Sequence, residues 1–370
     1  MRRSGTFKRR VDEFDNGTIE NEGDRRARGR SRKTRRAPAR SICGVDSSAM
    51  SDPRHPHVQT VLGPVDPSAI GVALPHEHTA ITLWQIPNRW DYWELTRDEP
   101  IITAELTRFR DVGGTALVDL TLQGVGRDPA WLVGLARATG LHLIMGCGWY
   151  REAYYPAEAR IDRRSVDDLA GELVRESEEG IAVAGHGAPV RPGIIGEIGT
   201  DKPWLSAQEE RVHRAVARAS RRTGLAVSTH AVMSDVGLAQ LEIFDAEGAD
   251  LSRVVIGHAD SYPVLDHYLE IIARGANIEF DFLGMTFTPQ ERHGEPRVID
   301  LLLELLSRGH ADRVFLSQDV CHNSQLHHYE GNGYTYLQDA FLPHLRARGV
   351  SDAEINQLTV LNPRRILTVV

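Results

Sequence analysis

Eight times between residues 71 and 320 the chain places a short run of small and β-branched apolar residues, and after most of these runs a longer stretch of helical character. The runs are GVALPHEH (71–78), GTALVDLT (114–121), HLIMGCGWY (142–150), GIIGEIG (193–199), AVSTHA (226–231), VVIGHAD (254–260), NIEFDFLG (277–284) and VFLSQDV (314–320). Their hydrophobicity is continuous rather than alternating, which is the pattern of parallel strands covered on both faces. Amphipathic stretches lie between them, among them 128–139, 164–180, 207–224, 264–275 and 298–309, and several end at a glycine suited to a left-handed C-cap. Right-handed crossovers repeated eight times wind into a closed (β/α)₈ TIM barrel. An open doubly wound sheet is the alternative, but it places a Gly-rich phosphate turn after its first strand, and none stands here. The predicted fold is therefore α/β, one barrel over residues 57–368.

The first 50 residues belong to another regime. They carry 14 Lys/Arg against 7 Asp/Glu, a surplus of +7, so in a chain of formal net charge −8 the remaining residues carry −15. Low hydrophobicity with many charges, as in RRARGRSRKTRR (25–36), predicts a disordered basic tail. No apolar core follows its arginine pairs, so it does not read as a secretory signal. Met50 stands just before the first structured-looking residues and is a candidate translation start. The acidic body excludes a nucleic-acid groove, which needs clustered positive charge. No apolar run approaches the roughly 20 residues of a membrane span. The three cysteines, Cys43, Cys147 and Cys321, form no CxxC motif or disulfide framework, which suits a reducing cytoplasm. Cys147, inside an apolar run, reads as a small buried hydrophobe.

In such barrels the chemistry sits at the C-terminal ends of the strands. The first run ends in His76 and His78, two apart and so on one face of a strand. The fourth ends with Glu197, the fifth with His230, the sixth with His258 and the eighth with Asp319. Taken singly, each reads as a core histidine, a cap or a salt-bridge partner. Taken together, six ligand-type residues fall at the same end of five strands that converge on one point. Two carboxylates buried there without a cation would be costly, so metal ions are expected.

The stretches TVLGPVDPSAIGVALPHEHTAI, GIIGEIGT, STHA, IGHAD, LSQDV and LNPRRIL together resemble the phosphotriesterase-related branch of the amidohydrolase superfamily, over about residues 57–368. The resemblance implies a first metal on His76, His78 and Asp319, a second on His230 and His258, and a strand-four residue bridging both. Well-studied members use a carboxylated lysine as the bridge. In GIIGEIGT no lysine stands before Lys202, and Glu197 is similar to the glutamate of another subset, which makes the chain a glutamate-bridged form. The implied cofactors are two divalent ions, zinc foremost, with Mn, Co or Ni also suited to these ligands. Family members often pair as homodimers.

Two ions about 3.5–4 Å apart can share and deprotonate a water. The expected function is hydrolysis of an ester, lactone, amide or phosphoester bond in a small molecule, with Asp319 taking the proton and relaying it to the leaving group. Tyr150, ending the third run, matches a substrate-facing tyrosine of lactone-cleaving relatives. Trp149 reads as packing, while Asp119 and Asp281 read as structural hydrogen-bonding groups able to orient a ligand histidine. His322, His327 and His328 read as surface residues. Two rival readings stay open: a mononuclear deaminase of the same superfamily, which needs no bridge, and a metal-stabilised binding protein without turnover.

Overall fold

The computed structural model describes residues 55–86, 93–285 and 295–370. The predicted basic tail, the candidate start at Met50 and Cys43 lie outside the described residues. Eight strands, one from each apolar run, form the barrel: β1 (Val72–Glu77), β2 (Gly114–Asp119), β3 (His142–Cys147), β4 (Ile194–Gly199), β5 (Val227–His230), β6 (Val254–Gly257), β7 (Asn277–Phe280) and β8 (Val314–Leu316). They are hydrogen-bonded in chain order, every neighbouring pair parallel. The helices between them are α1 (Glu99–Asp111), α2 (Pro129–Thr139), α3 (Val166–Glu179), α4 (Ala207–Thr223), α5 (Val236–Ala246), α6 (Leu265–Ala273) and α7 (Glu295–Ser307). This is the (β/α)₈ arrangement that the alternation predicts.

Local chemistry explains the boundaries. Ser206 and Glu209 make a capping box at the start of α4, and Ser165 and Asp168 make one at the start of α3, each satisfying otherwise unpaired amides. Asp128 caps α2, which ends on Gly140 in the left-handed conformation.

Two apolar layers follow from the covered strands. Residues facing the helices form one large core, to which Ile278 and Phe280 of β7 contribute. The barrel interior holds a smaller one, with Ala73, Ala116, Ala226 and Val255 around Phe315. Val58, Ile70, Ile366 and Leu367 belong to this inner core. They come from a three-stranded antiparallel sheet (57–60, 63–65 and 368–369) and the segments beside it. Apolar plugging of the interior leaves polar groups to gather toward the strand C-termini.

Among the described residues no backbone ladder joins β8 to β1, and side chains close that seam. Glu77 is fully buried; its Oε1 accepts from Gln318 N–H (2.9 Å) and lies 2.8 Å from the Ser317 hydroxyl, while its Oε2 accepts from Val320 N–H (2.8 Å). His76 N–H donates to Ser317 Oγ (3.0 Å), and Asp319 N–H donates to His76 O (3.2 Å). The sequence places Asp319 at the end of the eighth strand. The strand in fact stops at Leu316, and Asp319 stands three residues beyond it with φ 46°. Glu77 takes over from the ladder there, gripping the amides on either side of Asp319. No helix among the described residues is long and apolar enough to cross a membrane.

Candidate metal centre

The structure brings together all six residues named from the strand ends. His76 lies inside β1 and His78 one residue past it; Glu197 lies within β4, His230 ends β5, and His258 follows β6 directly. Two glycines make the approach possible. A Cβ at Gly196 or at Gly257 would lie 2.3 Å from the carbonyl oxygen of Ser228 or Thr229 on the adjacent strand, so Glu197 and His258 each follow a position that only glycine fits. His258 itself has φ 56°, a conformation worth about 1–3 kcal/mol of strain, and its N–H is fixed by Asp281 Oδ2 at 2.9 Å.

The six side chains form two overlapping groups that meet at His76 and the Glu197 carboxylate beside it. Glu197 Oε1 is 2.7 Å from His230 Nδ1 and 3.4 Å from His258 Nε2, and these two ring nitrogens are 2.8 Å apart. Its Oε2 is 3.3 Å from His76 Nε2. Asp319 Oδ1 then lies 3.9 Å from His76 Nε2 and 3.2 Å from His78 Nε2. His76, Glu197 and His258 present atoms close enough to share one ion, and so do His76, His78 and Asp319. Two orphaned atoms fit the same reading: His76 Nε2 and Asp319 Oδ1 are buried and make no hydrogen bond. The donor set of imidazole nitrogens and carboxylate oxygens suits zinc and its neighbours.

A further layer orients the rings. His258 Nδ1 is 2.8 Å from Asp281 Oδ1 and His76 Nδ1 is 3.0 Å from Asp281 Oδ2. A carboxylate only accepts, so His258 Nδ1 carries hydrogen, while His76 Nδ1 meets Asp281 as an ion-pair contact without a hydrogen bond. Asp281 thus faces two rings at once, where the sequence reading anticipates a structural hydrogen-bonding group able to orient one ligand histidine. Glu279 adds a second buried carboxylate 3.4 Å from His76 Nδ1. His78 is held by a neutral group, its Nδ1 2.9 Å from the Thr121 hydroxyl, and Tyr334 O–H donates to the His78 carbonyl (2.6 Å). Asp119 accepts from the Thr79 and Thr121 amides (2.9 Å each) and is structural.

These contacts set the charges. Burial would hold the His258 ring low, but Asp281 and then Glu197 push it up to about 10. Burial likewise opposes charge on His76, and Asp281 with Glu197 and Glu279 raises it well above the usual range. Burial would raise Glu197, yet His230, His258 and His76 keep it well below the ordinary carboxylate value. Burial pulls His230 down to about 4 despite Glu197 beside it, so the protons that offset the buried carboxylates sit on His258 and His76, the role that cations fill in a loaded site. Burial, with Asp319 and Glu197 nearby, pushes the Cys321 thiol well above its usual value, so it is no thiolate nucleophile. Cys147 is buried, as its run predicts.

Above the cluster opens a cavity of about 440 Å³ with His78, Glu197, His230 and Asp319 in its lining. Tyr150 lies on its wall, the hydroxyl 3.4 Å from His230 Nδ1, and Trp149 is fully buried in the core. His327 pairs with Glu105 (2.9 Å) and His322 contacts Ser324 (2.8 Å), away from the cluster. Sequence reasoning misses Glu77. The glutamate in HEH is its one signal, because an acid on a strand between two core-facing residues needs buried donors.

Residues 56–367 match the phosphotriesterase family. A phosphotriesterase homology protein of Escherichia coli (strain K12) is 36% identical over 295 residues, which cover 79% of this chain and 96% of that one. An N-acetyltaurine hydrolase of Bos taurus is 30% identical over 348 residues, covering 84% and 97%. Among solved structures, a resiniferatoxin-binding protein from Rhodobacter sphaeroides superposes with TM-score 0.76 at 32% identity, covering 84% of this chain and 94% of that one.

Proposed function

This chain belongs to the phosphotriesterase family and is a metal-dependent hydrolase, and from that premise we propose a binuclear centre that cleaves an ester, lactone, amide or phosphoester bond of a small molecule. The observation that carries the reading is the division of Glu197: Oε1 serves the His230–His258 pair and Oε2 faces His76, beside His78 and Asp319. A mononuclear deaminase needs no carboxylate with one oxygen per group. His76, His78 and Asp319 would hold one divalent ion, His230 and His258 the other, with Glu197 between them.

When bound, two such ions lower the pKa of water toward neutrality and polarise an acyl or phosphoryl oxygen. The protein's own groups do the rest. Asp319, in the cavity lining with an orphaned Oδ1, takes the proton of the attacking water and returns it to the leaving group. Tyr150 offers its hydroxyl to the substrate from the wall. Asp281 keeps the ligand rings from turning. The name of the bovine relative adds N-acyl amides to the substrates worth trying first.

Metal analysis of loaded protein, together with a screen of lactones, carboxylic esters, N-acyl amides and phosphotriesters, tests the proposal. The expected content is two ions per chain, falling in Glu197→Gln together with turnover. Full activity with one ion per chain overturns the binuclear reading, and negligible rates on every class with two ions bound favour a binding protein.

A further inference from the structure

The cavity wall is mostly apolar with one polar arc, and barrel order locates that arc. Ile81, Leu83 and Trp93 follow β1, Phe282 and Met285 follow β7, and Cys321 follows β8. Strands seven, eight and one are consecutive around the barrel, so these side chains make one continuous apolar arc. Across the mouth, the segments after β3 and β4 supply Tyr150, Arg151, Thr200, Asp201 and Lys202, while Pro203 and, after β5, Val232 and Met233 add apolar lining beside them. In an eight-membered ring, strand four stands opposite strand eight.

The polar arc carries a cationic surplus. Beyond the ligand cluster, the charged residues lining the cavity among the described residues are Arg151, Asp201 and Lys202, two positive charges against one negative. Arg151 is only 5% exposed, with its guanidinium 4.6 Å from the centre of the Tyr150 ring and 4.9 Å from that of Tyr154. Nη1 stands 3.6 Å from Asp201 Oδ1. A guanidinium fixed by two aromatic faces in a wall of low dielectric presents planar donors at little entropic cost, the usual means of binding an oxyanion. Lys202 stands exposed in the cavity lining, its Nζ 5.7 Å from the centre of the Trp204 ring, and adds a second positive charge on the same side.

We propose that this cavity selects amphipathic anions: substrates with an apolar body laid against the arc of strands seven, eight and one, and a carboxylate or sulfonate held by Arg151 and Lys202, remote from the bond that is cleaved. The proposal rests on the hydrolase reading, because the cleaved bond must lie over the ligand cluster for the two arcs to flank it. It narrows that reading from bond types to a shape and a charge.

The test uses product-like inhibitors on the metal-loaded full chain at constant pH. Linear monocarboxylates of three to eight carbons are compared with α,ω-dicarboxylates of the same length, by calorimetry and by inhibition. One carboxylate sits at the metals in both series, and the second can reach the cationic arc only in the dicarboxylates. At the fitting length the dicarboxylate is expected to bind about tenfold or more tightly than its partner, as an added charge-assisted contact implies. Arg151→Met and the surface substitution Lys202→Gln should each lower that ratio, and the second keeps the test available if the first fails to fold. Metal-dependent monocarboxylate binding with a ratio near one at every length overturns the proposal alone. Failure of every carboxylate to bind, metals loaded or not, overturns the centre beneath it as well.

Discussion

His258 and His213 are both buried histidines, one at the barrel mouth and one on α4 in the surrounding helical layer, and their surroundings drive them in opposite directions. Burial pulls His213 down to about 4, resisted only by a hydrogen bond from Nδ1 to the Glu209 carbonyl (2.8 Å). The same burial acts on His258, but Asp281 and Glu197 override it and push the ring up to about 10. Low dielectric alone yields a neutral structural histidine. The barrel mouth differs because β4, the segment after β7 and the turn after β8 deliver Glu197, Asp281 and Asp319 to one end. Carboxylates so gathered need cations, imidazolium or metal.

Removing the shared clamp should break the contrast most severely. Asp281→Ala strips the charged partner from His76 and His258 together and leaves the His258 amide without its acceptor. Breaking a buried pair of this kind costs about 3–5 kcal/mol, and loss of an orienting carboxylate weakens metal binding by about 10–100-fold. Denaturant unfolding of the metal-free protein and competition against a chelator read the two effects. Unchanged metal affinity would show that the rings are held by packing instead.

The quiet half of the comparison has its own signature in pH. The folded value of His213 lies below that of an unfolded histidine, so between them the unfolded chain binds the extra proton. Stability from this residue is present above pH about 6.5 and is lost as pH falls toward 4, by about 3 kcal/mol. Unfolding curves of wild type and His213→Gln should converge by that amount between pH 7 and pH 4, since glutamine does not titrate. A gap of constant size would place a counter-charge near His213.

How much of this was legible beforehand divides along the same line. The strands could be read because burial on both faces leaves an unbroken apolar record, and the meeting of the six candidate residues because strand ends in a barrel converge. Glu77 left no sign beyond the acid in HEH, and its role could not be read. Period-two alternation sets it on the face opposite His76 and His78, and its partners Ser317, Gln318 and Val320 lie 240 to 243 residues away. Asp281 was visible as an acid at a strand end, but its hold on two rings depends on how those rings pack. The divided cavity wall rests on loop side chains, whose directions no periodicity encodes.

Glu77→Gln tests whether the seam serves the site or only the fold. The amide would turn a donor toward backbone N–H groups, and a buried amide left without its acceptor costs about 1–3 kcal/mol. If the grip on the Gln318 and Val320 amides sets the left-handed backbone of Asp319, kcat falls while KM changes little, because proton transfer suffers before substrate binding. A loss confined to stability, with kcat intact, would make Glu77 a fold residue alone.

The mildest expected effect comes from the neutral support of the outer ring. Thr121 holds His78 Nδ1 through a hydroxyl at 2.9 Å, and Thr121→Val keeps the shape while removing that one contact. A neutral hydrogen bond contributes about 0.5–1.5 kcal/mol, so metal affinity should fall by about tenfold at most, and less than in Asp281→Ala. His78 also keeps its backbone anchor from Tyr334, which limits how far the ring can swing. If Thr121→Val weakens metal binding as strongly as Asp281→Ala, charge is not what separates the inner rings from the outer ones. The contrast between His258 and His213 would then reflect distance from the carboxylates without any special role for the clamp.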